Sequence, residues 1–595
     1  MSTLAISALV FIAYSPGLEM NFIFDDWKNL ETLGRLGAQE FIRRSFDPLE
    51  PSFLTTFRPL QGLLLGMEYL IFNTSPFGYH CVHIVMHLIN SILVLMAINQ
   101  VAANHRLALL AGLFYATLPV YNLSVFLPSA PDVLAALFYL FAVLFWTIYL
   151  RAKKRWAFGL THLVFVLGLL SKEIVVTLPF VLLLIDCLLI RNTSRATLLL
   201  RHYFLMAAIW LIYVIFEIRI QPGTFLSQAY GLGIGNHILF NMARYVAQLI
   251  FPWQTELSDQ WWLIWTLAPF LVLVVARTNM PLLILSSSWA ILNVLPVVML
   301  SEKFSPRFLY LSGVGSALLL ALAVEAGWSL LKQQTFFSVV ILSMVSLLLL
   351  LGAQNVQNAS KEINDSMRAQ RAAFREISLR HETLSNSTLI YFITPPANIR
   401  EISGMLYVRY GGGIQTRWLG DGQRLNAQTY QSVLIYDSNQ DNSLIEVAVN
   451  KSAITNVLLS PSLTFARLIQ LEGYELLGNS ISAGQRVALV LYWRALERIN
   501  EDYTVFVHLV CDGEQVVGED NQPARGRSPT TSWNPNFTIV DVFILSVPPN
   551  IATKDQCNIH VGLYELATLQ RLPVMNEHGA FISDHIEIES LSIQK

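Results

Sequence analysis

The chain is poor in charge: Lys, Arg, Asp and Glu make up 13% of its 595 residues, about half the share of an ordinary soluble domain. It is also poor in cysteine. The four it has (Cys81, Cys187, Cys511 and Cys557) stand in no CxxC or other metal-ligand spacing. No dense basic face is present either: residues 1–354 hold 20 Lys and Arg against 16 Asp and Glu, a balance of +4, and residues 355–595 hold 19 against 25, a balance of −6. Nucleic-acid binding, which needs a concentrated basic surface, is excluded. So are a disordered chain, a coiled coil and a cytosolic enzyme. No tetratricopeptide-like or other internal repeat is visible. The cysteines suggest no metal site; Cys511 and Cys557 could pair in an oxidising compartment.

What the chain has is apolar sequence, 54% of residues, with a mean hydropathy of +0.49. A bilayer core takes roughly 17–25 apolar residues per helix. Such runs, some of them short, lie at Thr3–Pro16, Tyr79–Ile98, Leu107–Leu127, Val133–Leu150, Trp156–Leu170, Ile174–Ile190, Tyr203–Ile218, Trp261–Ala276, Pro281–Leu300, Phe308–Ala323 and Phe336–Ala353. The expectation is a polytopic α-helical membrane protein of about 11 spans. The first run lacks a basic flank and a cleavage site and reads as an uncleaved anchor. Pro59–Phe72 is too short to span and Asn236–Trp253 carries Arg244 at its middle, so both are expected as interfacial helices. That choice puts Arg106, the basic run 151–155, Arg191, Arg195, Arg201, Arg277 and Lys332 on the cytoplasmic side. The outward segments are then Gly17–Gly78, Pro128–Asp132, Ser171–Glu173, Gln221–Gln260, Ser301–Arg307 and everything after Gln354.

Four regions follow: a transmembrane domain at 1–354, a stalk helix at 355–386, a small mixed α/β module at 387–458 and a β-sandwich at 459–595. In the last two, short alternating strands such as Val487–Trp493, Tyr503–Val510 and Ile559–Tyr564 are separated by Gly, Pro, Asn and Asp turns.

The chemically interesting residues fall on the outward side. Asp25 and Asp26 are adjacent acids whose repulsion raises one pKa and suits a general base; two solvated loop acids are the bland alternative. Asp132 reads by itself as a cap for the span at Val133. Lys172 reads as an ion pair with Glu173 or as snorkelling, and Arg307 has the same bland reading. Arg58 stands where the first interfacial helix begins, before Pro59. As a set, carboxylates and cations from distant loops suit chemistry on an anionic lipid phosphate, with the cations holding the leaving charge and a carboxylate taking the acceptor proton. His80, His83 and His87 share a helix face, but His80 and His87 are roughly 10 Å apart. Helix–helix hydrogen bonds are expected of them rather than metal, with His80 close enough to the outer face to touch substrate.

Phe24-Asp25-Asp26, Phe57-Arg58-Pro59-Leu60, Pro76-Phe77-Gly78-Tyr79-His80, His87-Leu88-Ile89-Asn90-Ser91, the run from Ala130-Pro131-Asp132 to Phe138, Leu170-Ser171-Lys172-Glu173 and Arg307-Phe308-Leu309-Tyr310-Leu311 occur in the order seen in transmembrane O-mannosyltransferases of the tetratricopeptide-containing type. More broadly the chain resembles the GT-C superfamily, including the protein O-mannosyltransferases of glycosyltransferase family 39 and the lipid A aminoarabinose transferase. The resemblance covers roughly Leu9–Ala323. It implies an inverting transferase that moves a hexose such as mannose from a polyprenyl-phosphate donor to a hydroxyl of an extracytoplasmic protein, lipid or glycan, at a plasma (inner) membrane. Asp25 is then the base and Asp26 its helper, with Asp132 orienting acceptor or sugar. Lys172 and Arg307 contact the donor phosphate, with Arg58 and Tyr310 as weaker candidates and His80 and Glu173 near substrate. No metal or separate cofactor is expected. The C-terminal half departs from these relatives in lacking the repeats, and Leu491-Tyr492-Trp493 and Val561-Gly562-Leu563-Tyr564 resemble a β-sandwich tail of bacterial membrane glycosyltransferases. Trp493 or Trp533 there could stack on sugars if exposed, burial in the core being the bland alternative. The rival functions are a membrane-anchored glycan-binding scaffold and a transporter, the latter without the inverted repeats it needs.

Overall fold

The computed structural model describes residues 1–595 except 49–56, 190–194, 221–230, 232, 251, 254–278, 302–303, 332–334, 440–442, 448, 450–453, 460–462, 479, 552–553 and 595. It divides into two units, Met1–Ser366 and Met367–Lys595.

The first unit is helical: α1 (Ser2–Tyr14), α2 (Asp25–Leu36), α3 (Ala38–Ser45), α4 (Pro59–Phe72), α5 (Pro76–Ala102), α6 (His105–Thr117), α7 (Asn122–Phe126), α8 (Asp132–Ala152) and α9 (Arg155–Leu169), followed by the helices Leu178–Leu189, Arg195–Ile220, His237–Ile250, Met280–Leu292, Ser312–Leu331 and Thr335–Ser366. Proline starts α4 and α5, where its missing N–H costs nothing. Among the described residues six helices are long and apolar enough to cross a membrane, or seven if the bent pair His105–Thr117 and Pro119–Phe126 counts as one span. Within the described residues the expected count of about eleven is not reached. The stretch expected at Trp156–Leu170 forms only the 15-residue α9, and Ile174–Ile190 divides into a turn at Glu173–Thr177 and the 12-residue helix Leu178–Leu189. Trp261–Ala276, Arg191, Arg277 and Lys332 lie outside the described residues. Close helix packing rests on small residues: a Cβ on Gly315 would fall 2.5 Å from the Ser286 carbonyl oxygen, so the helices Met280–Leu292 and Ser312–Leu331 meet backbone to backbone.

The second unit begins with the helix Arg368–Arg380, which Met367 separates from the helix before it. A mixed sheet then forms from β1 (Thr388–Phe392), β2 (Ile414–Trp418), β3 (Ser432–Ser438) and β4 (Leu444–Val447) in the order β2-β1-β3-β4, with β1 parallel to both neighbours. The helix Ile399–Tyr410 connects β1 to β2, as a parallel crossover requires. The rest is β5 (Thr455–Leu458), β6 (Thr464–Phe465), β7 (Ile469–Leu476), β8 (Ser480–Ser482), β9 (Arg486–Ala495), β10 (Tyr503–Cys511), β11 (Glu514–Asn521), β12 (Ile539–Ser546), β13 (Lys554–Glu565), β14 (Val574–Met575), β15 (Phe581–Ser583) and β16 (Ile586–Gln594). These make a seven-stranded sheet around β9 and β7 and a five-stranded sheet in the order β11-β10-β13-β16-β8. Leu489, Leu491 and Trp493 from the first share one apolar cluster with Val505, Val507, Val561 and Leu563 from the second. Trp493 and Trp533 are both buried in it, which leaves neither as a sugar-stacking surface. Cys511 and Cys557, opposite one another on β10 and β13, form a disulfide.

Candidate active site

The acids Asp25 and Asp26 occupy the first turn of α2, where the helix dipole favours negative charge. Phe24 before them has φ 45°, a left-handed setting that costs a bulky residue about 1–3 kcal/mol. The two carboxylates part company there: Asp25 is exposed and Asp26 is buried. Asp26 Oδ2 accepts the Ile23 N–H at 3.1 Å and Oδ1 accepts the Ser129 N–H at 2.9 Å, tying the first loop to the turn before α8. Burial raises the Asp26 pKa to about 7 against these backbone bonds, and Asp25 adds the smallest contribution. The repulsion expected between adjacent acids is therefore the minor cause. A pocket lined by Phe22, Asp26, Leu30, Leu65, Tyr79 and Pro128 opens beside it.

The loops at Arg58, Asp132 and Lys172 converge on a second cluster. Asp132, the first residue of α8, accepts a hydrogen bond from Lys172 Nζ at 2.5 Å, and both side chains are buried. Its carboxylate thus serves Lys172 and not the backbone of α8. Burial lowers the Lys172 pKa, with Asp132 the largest opposing influence. Arg58 Nε and Nη2 donate to the two oxygens of Glu173 at 3.0 and 2.7 Å, the bidentate arrangement of a strong pair. Burial alone would raise the Glu173 pKa, but the Arg58 charge and hydrogen bonds bring it down to about 2. The partners differ from those adjacency suggests, because Lys172 takes Asp132 and leaves Glu173 to Arg58. Two bonds fix the geometry: the Leu60 N–H donates to the Leu170 carbonyl at 3.2 Å, and Gln61 Nε2 donates to the Pro128 carbonyl at 3.0 Å.

Arg307 lies in the turn Pro306–Leu309, held where Ser124 Oγ donates to its carbonyl at 2.9 Å. The Phe308 ring has the Lys172 ammonium 5.1 Å and the Arg307 guanidinium carbon 5.3 Å from its centroid, so one aromatic ring is flanked by two cations. Arg307 Nε is buried with no hydrogen-bond partner, and among the described residues no carboxylate pairs with this side chain. A guanidinium with an unused donor can receive an anion.

Tyr310 is elsewhere in use. Its hydroxyl bonds His87 Nδ1 at 2.7 Å and accepts from Asn90 Nδ2 at 3.2 Å, while Asn90 also donates to the Val133 carbonyl at 2.9 Å. It is buried in a nest with Tyr115 and Tyr121, a position that fastens the Arg307 segment to α5. Of the histidines, only His87 makes the expected helix–helix bond. His80 and His83 are fully buried, and His83 has no hydrogen-bond partner on either ring nitrogen.

Glu68, which the motifs did not single out, joins them. It is buried in α4 with both carboxylate oxygens unpartnered, and Oε1 lies 3.7 Å from His83 Nε2. Burial first and then the charge of Asp26 raise its pKa well above the ordinary range. A lone acid in the apolar run Pro59–Phe72 was the available signal, since an ionisable group in such a helix marks function by default.

Residues 58–218 match the family of dolichyl-phosphate-mannose-protein mannosyltransferases. That segment contains Arg58, Glu68, His80, Asp132, Lys172 and Glu173; the Asp25–Asp26 pair and Arg307 lie outside it. Two curated relatives carry the same name type: protein O-mannosyl-transferase Tmtc1 of Drosophila melanogaster is 27% identical over 179 residues, 29% of this chain and 21% of that protein, and Tmtc2 of the same organism is 27% identical over 194 residues, 30% and 21%. The chain thus spans about a fifth of the length of the curated relatives it matches. Among solved structures, ArnT from Cupriavidus metallidurans bound to undecaprenyl phosphate aligns with a TM-score of 0.46 and 12% identity over 74% of this chain and 93% of that one. At that level nothing known of ArnT transfers to this chain. The resemblance to protein O-mannosyltransferases stands on the family match and the Tmtc relatives.

Proposed function

We propose that the protein is an inverting glycosyltransferase that moves a hexose such as mannose from a polyprenyl-phosphate donor to a hydroxyl of an acceptor on the outer face of the membrane. The single observation that carries the reading is the pair of cations flanking Phe308, with an unused donor on Arg307. In the reaction the acceptor oxygen attacks the anomeric carbon, its proton passes to the exposed Asp25 carboxylate, and the anomeric carbon–oxygen bond breaks with its electron pair leaving on the lipid phosphate. Arg307 and Lys172 stabilise that charge as it forms. Asp132 holds Lys172 in place, Arg58 and Glu173 brace the same loop, and Asp26 fastens the base-bearing turn to α8. Tyr310 positions Arg307 from behind. The disulfide between Cys511 and Cys557 supports an oxidising, extracytoplasmic setting for the second unit.

The test is purified protein in nanodiscs with a panel of radiolabelled polyprenyl-phosphate sugars and hydroxyl acceptors. Wild type should release sugar from one donor. Asp25→Asn should lower turnover by about 10²–10⁴-fold, the usual worth of a general base, and Arg307→Ala by about 10²–10³-fold, the worth of one charge-stabilising donor. Consumption of no donor by folded wild-type protein would overturn the reading, and an Asp25→Asn enzyme of wild-type turnover would remove the base.

A further inference from the structure

The second unit carries a cluster of side chains that the transferase reading does not use. β10, β13 and β16 are neighbours in one sheet, and their register sets His508 opposite His560 and His560 opposite Glu587. His585, just before β16, stacks its ring on that of His560 with centroids 4.2 Å apart and planes 23° from parallel. Glu587 Oε1 lies 3.6 Å from His560 Nε2 and 3.7 Å from His585 Nε2. One nitrogen or oxygen from each of the three residues falls within 4.8 Å of the other two.

Two imidazoles facing one carboxylate oxygen at this distance are too far apart for strong hydrogen bonds. They are near the separation of about 3.3 Å that ligand atoms have around a tetrahedral zinc ion with bonds of roughly 2.0–2.1 Å. The surroundings orient the donors as a metal site would. His585 Nδ1 bonds Asp584 Oδ1 at 2.7 Å, and the other Asp584 oxygen takes Arg571 Nη1 at 3.0 Å. With Nδ1 occupied, Nε2 of His585 is left to point at Glu587; a carboxylate behind a ligating imidazole is the usual outer partner. His508 is committed elsewhere, its Nε2 bonded to Asp520 Oδ1 at 2.8 Å.

We propose that His560, His585 and Glu587 bind a divalent transition-metal ion, Zn²⁺ in the first instance, which clasps β13 to β16 and leaves a fourth position to solvent. Two nitrogen donors and one carboxylate select Zn²⁺ over the hard cations Mg²⁺ and Ca²⁺, which take oxygen ligands.

The experiment uses the full-length chain in detergent, without a polyhistidine tag and stripped with chelator. It combines calorimetric titration with Zn²⁺ and the visible absorption of bound Co²⁺. One ion per chain is expected, uncompeted by millimolar Mg²⁺ or Ca²⁺. His560→Ala with His585→Ala should weaken binding at least tenfold and abolish the Co²⁺ bands, and Asp584→Asn should weaken it by about tenfold. Wild-type protein with no saturable Zn²⁺ binding and no Co²⁺ bands would overturn the proposal without recourse to any variant. So would a double variant of native circular dichroism that binds Zn²⁺ as tightly as wild type. Sugar transfer is not read in any arm, so the outcome is independent of the transferase reading.

Discussion

The helical unit and the β-rich unit differ in how they satisfy their buried charged and imidazole side chains. In the β-rich unit Glu475 is fully buried, yet its carboxylate accepts the N–H groups of Asn426 and Ala427 at 2.9 and 2.8 Å and the hydroxyl of Tyr492. Glu472 nearby takes Arg424, Arg494 and Thr538. Among the described residues the only charged or imidazole side chain of this unit with an unpartnered buried atom is Asp541, at Oδ2. The helical unit leaves Glu68 and His83 without a hydrogen bond, facing each other at 3.7 Å, and Arg307 unpartnered at Nε. An unmet buried donor or acceptor costs about 1–3 kcal/mol. In the helical unit the open ionisable groups include Glu68, which feels the charge of Asp26, and Arg307, beside the Phe308 ring.

The largest effect is expected from Lys172→Ala, which strands the Asp132 carboxylate in a buried site: about 3–5 kcal/mol of stability together with loss of transfer. Replacing both partners, Lys172→Met with Asp132→Leu, should restore most of the stability by thermal unfolding while transfer stays lost. Recovery of transfer in the double variant would show that the pair is only a brace.

Next comes pH. Asp26 and Asp541 each rise from an ordinary 3.8 to about 7, burial being the first cause in both. A carboxyl raised on folding binds its proton more tightly in the folded state, so each contributes stability below about pH 4 that is lost as pH rises to 7, with a level region above. Asp541→Asn should flatten that slope for the β-rich unit and leave transfer intact, whereas Asp26→Asn should flatten it for the helical unit and impair transfer. Equal effects on transfer would erase the contrast.

The smallest effect belongs to Glu475→Gln. It weakens charge-assisted bonds by about 1.5–3 kcal/mol, read as a lower unfolding midpoint, with donor turnover unchanged. A fall in turnover would mean that the β-rich network serves the reaction after all.

Much of the fold was legible from residue pattern. The helix at Pro59–Phe72 begins and ends where its proline and its apolar run do, and strands such as β9 and β10 follow the alternating runs bounded by turn residues. The span count was less legible, since apolar length does not reveal that the chain turns at Glu173–Thr177 within one run. For the site, the ordered motifs brought up Asp25, Asp26, Arg58, Asp132, Lys172 and Arg307, but the partners were hidden. Lys172 is adjacent to Glu173 in sequence and bonds Asp132, 40 positions away. Glu68 was passed over because no motif contains it.

The sequence by itself determined that the chain carries a membrane-type helical region followed by strands, because apolar run length and alternation are local properties that burial must satisfy. The tertiary structure alone decided which carboxylate of the Asp25–Asp26 pair is buried, that Arg307 Nε is left without a partner, and that His560, His585 and Glu587 come to face one another. Those outcomes depend on which distant segments meet, and on how much water each meeting excludes, quantities that no local pattern encodes.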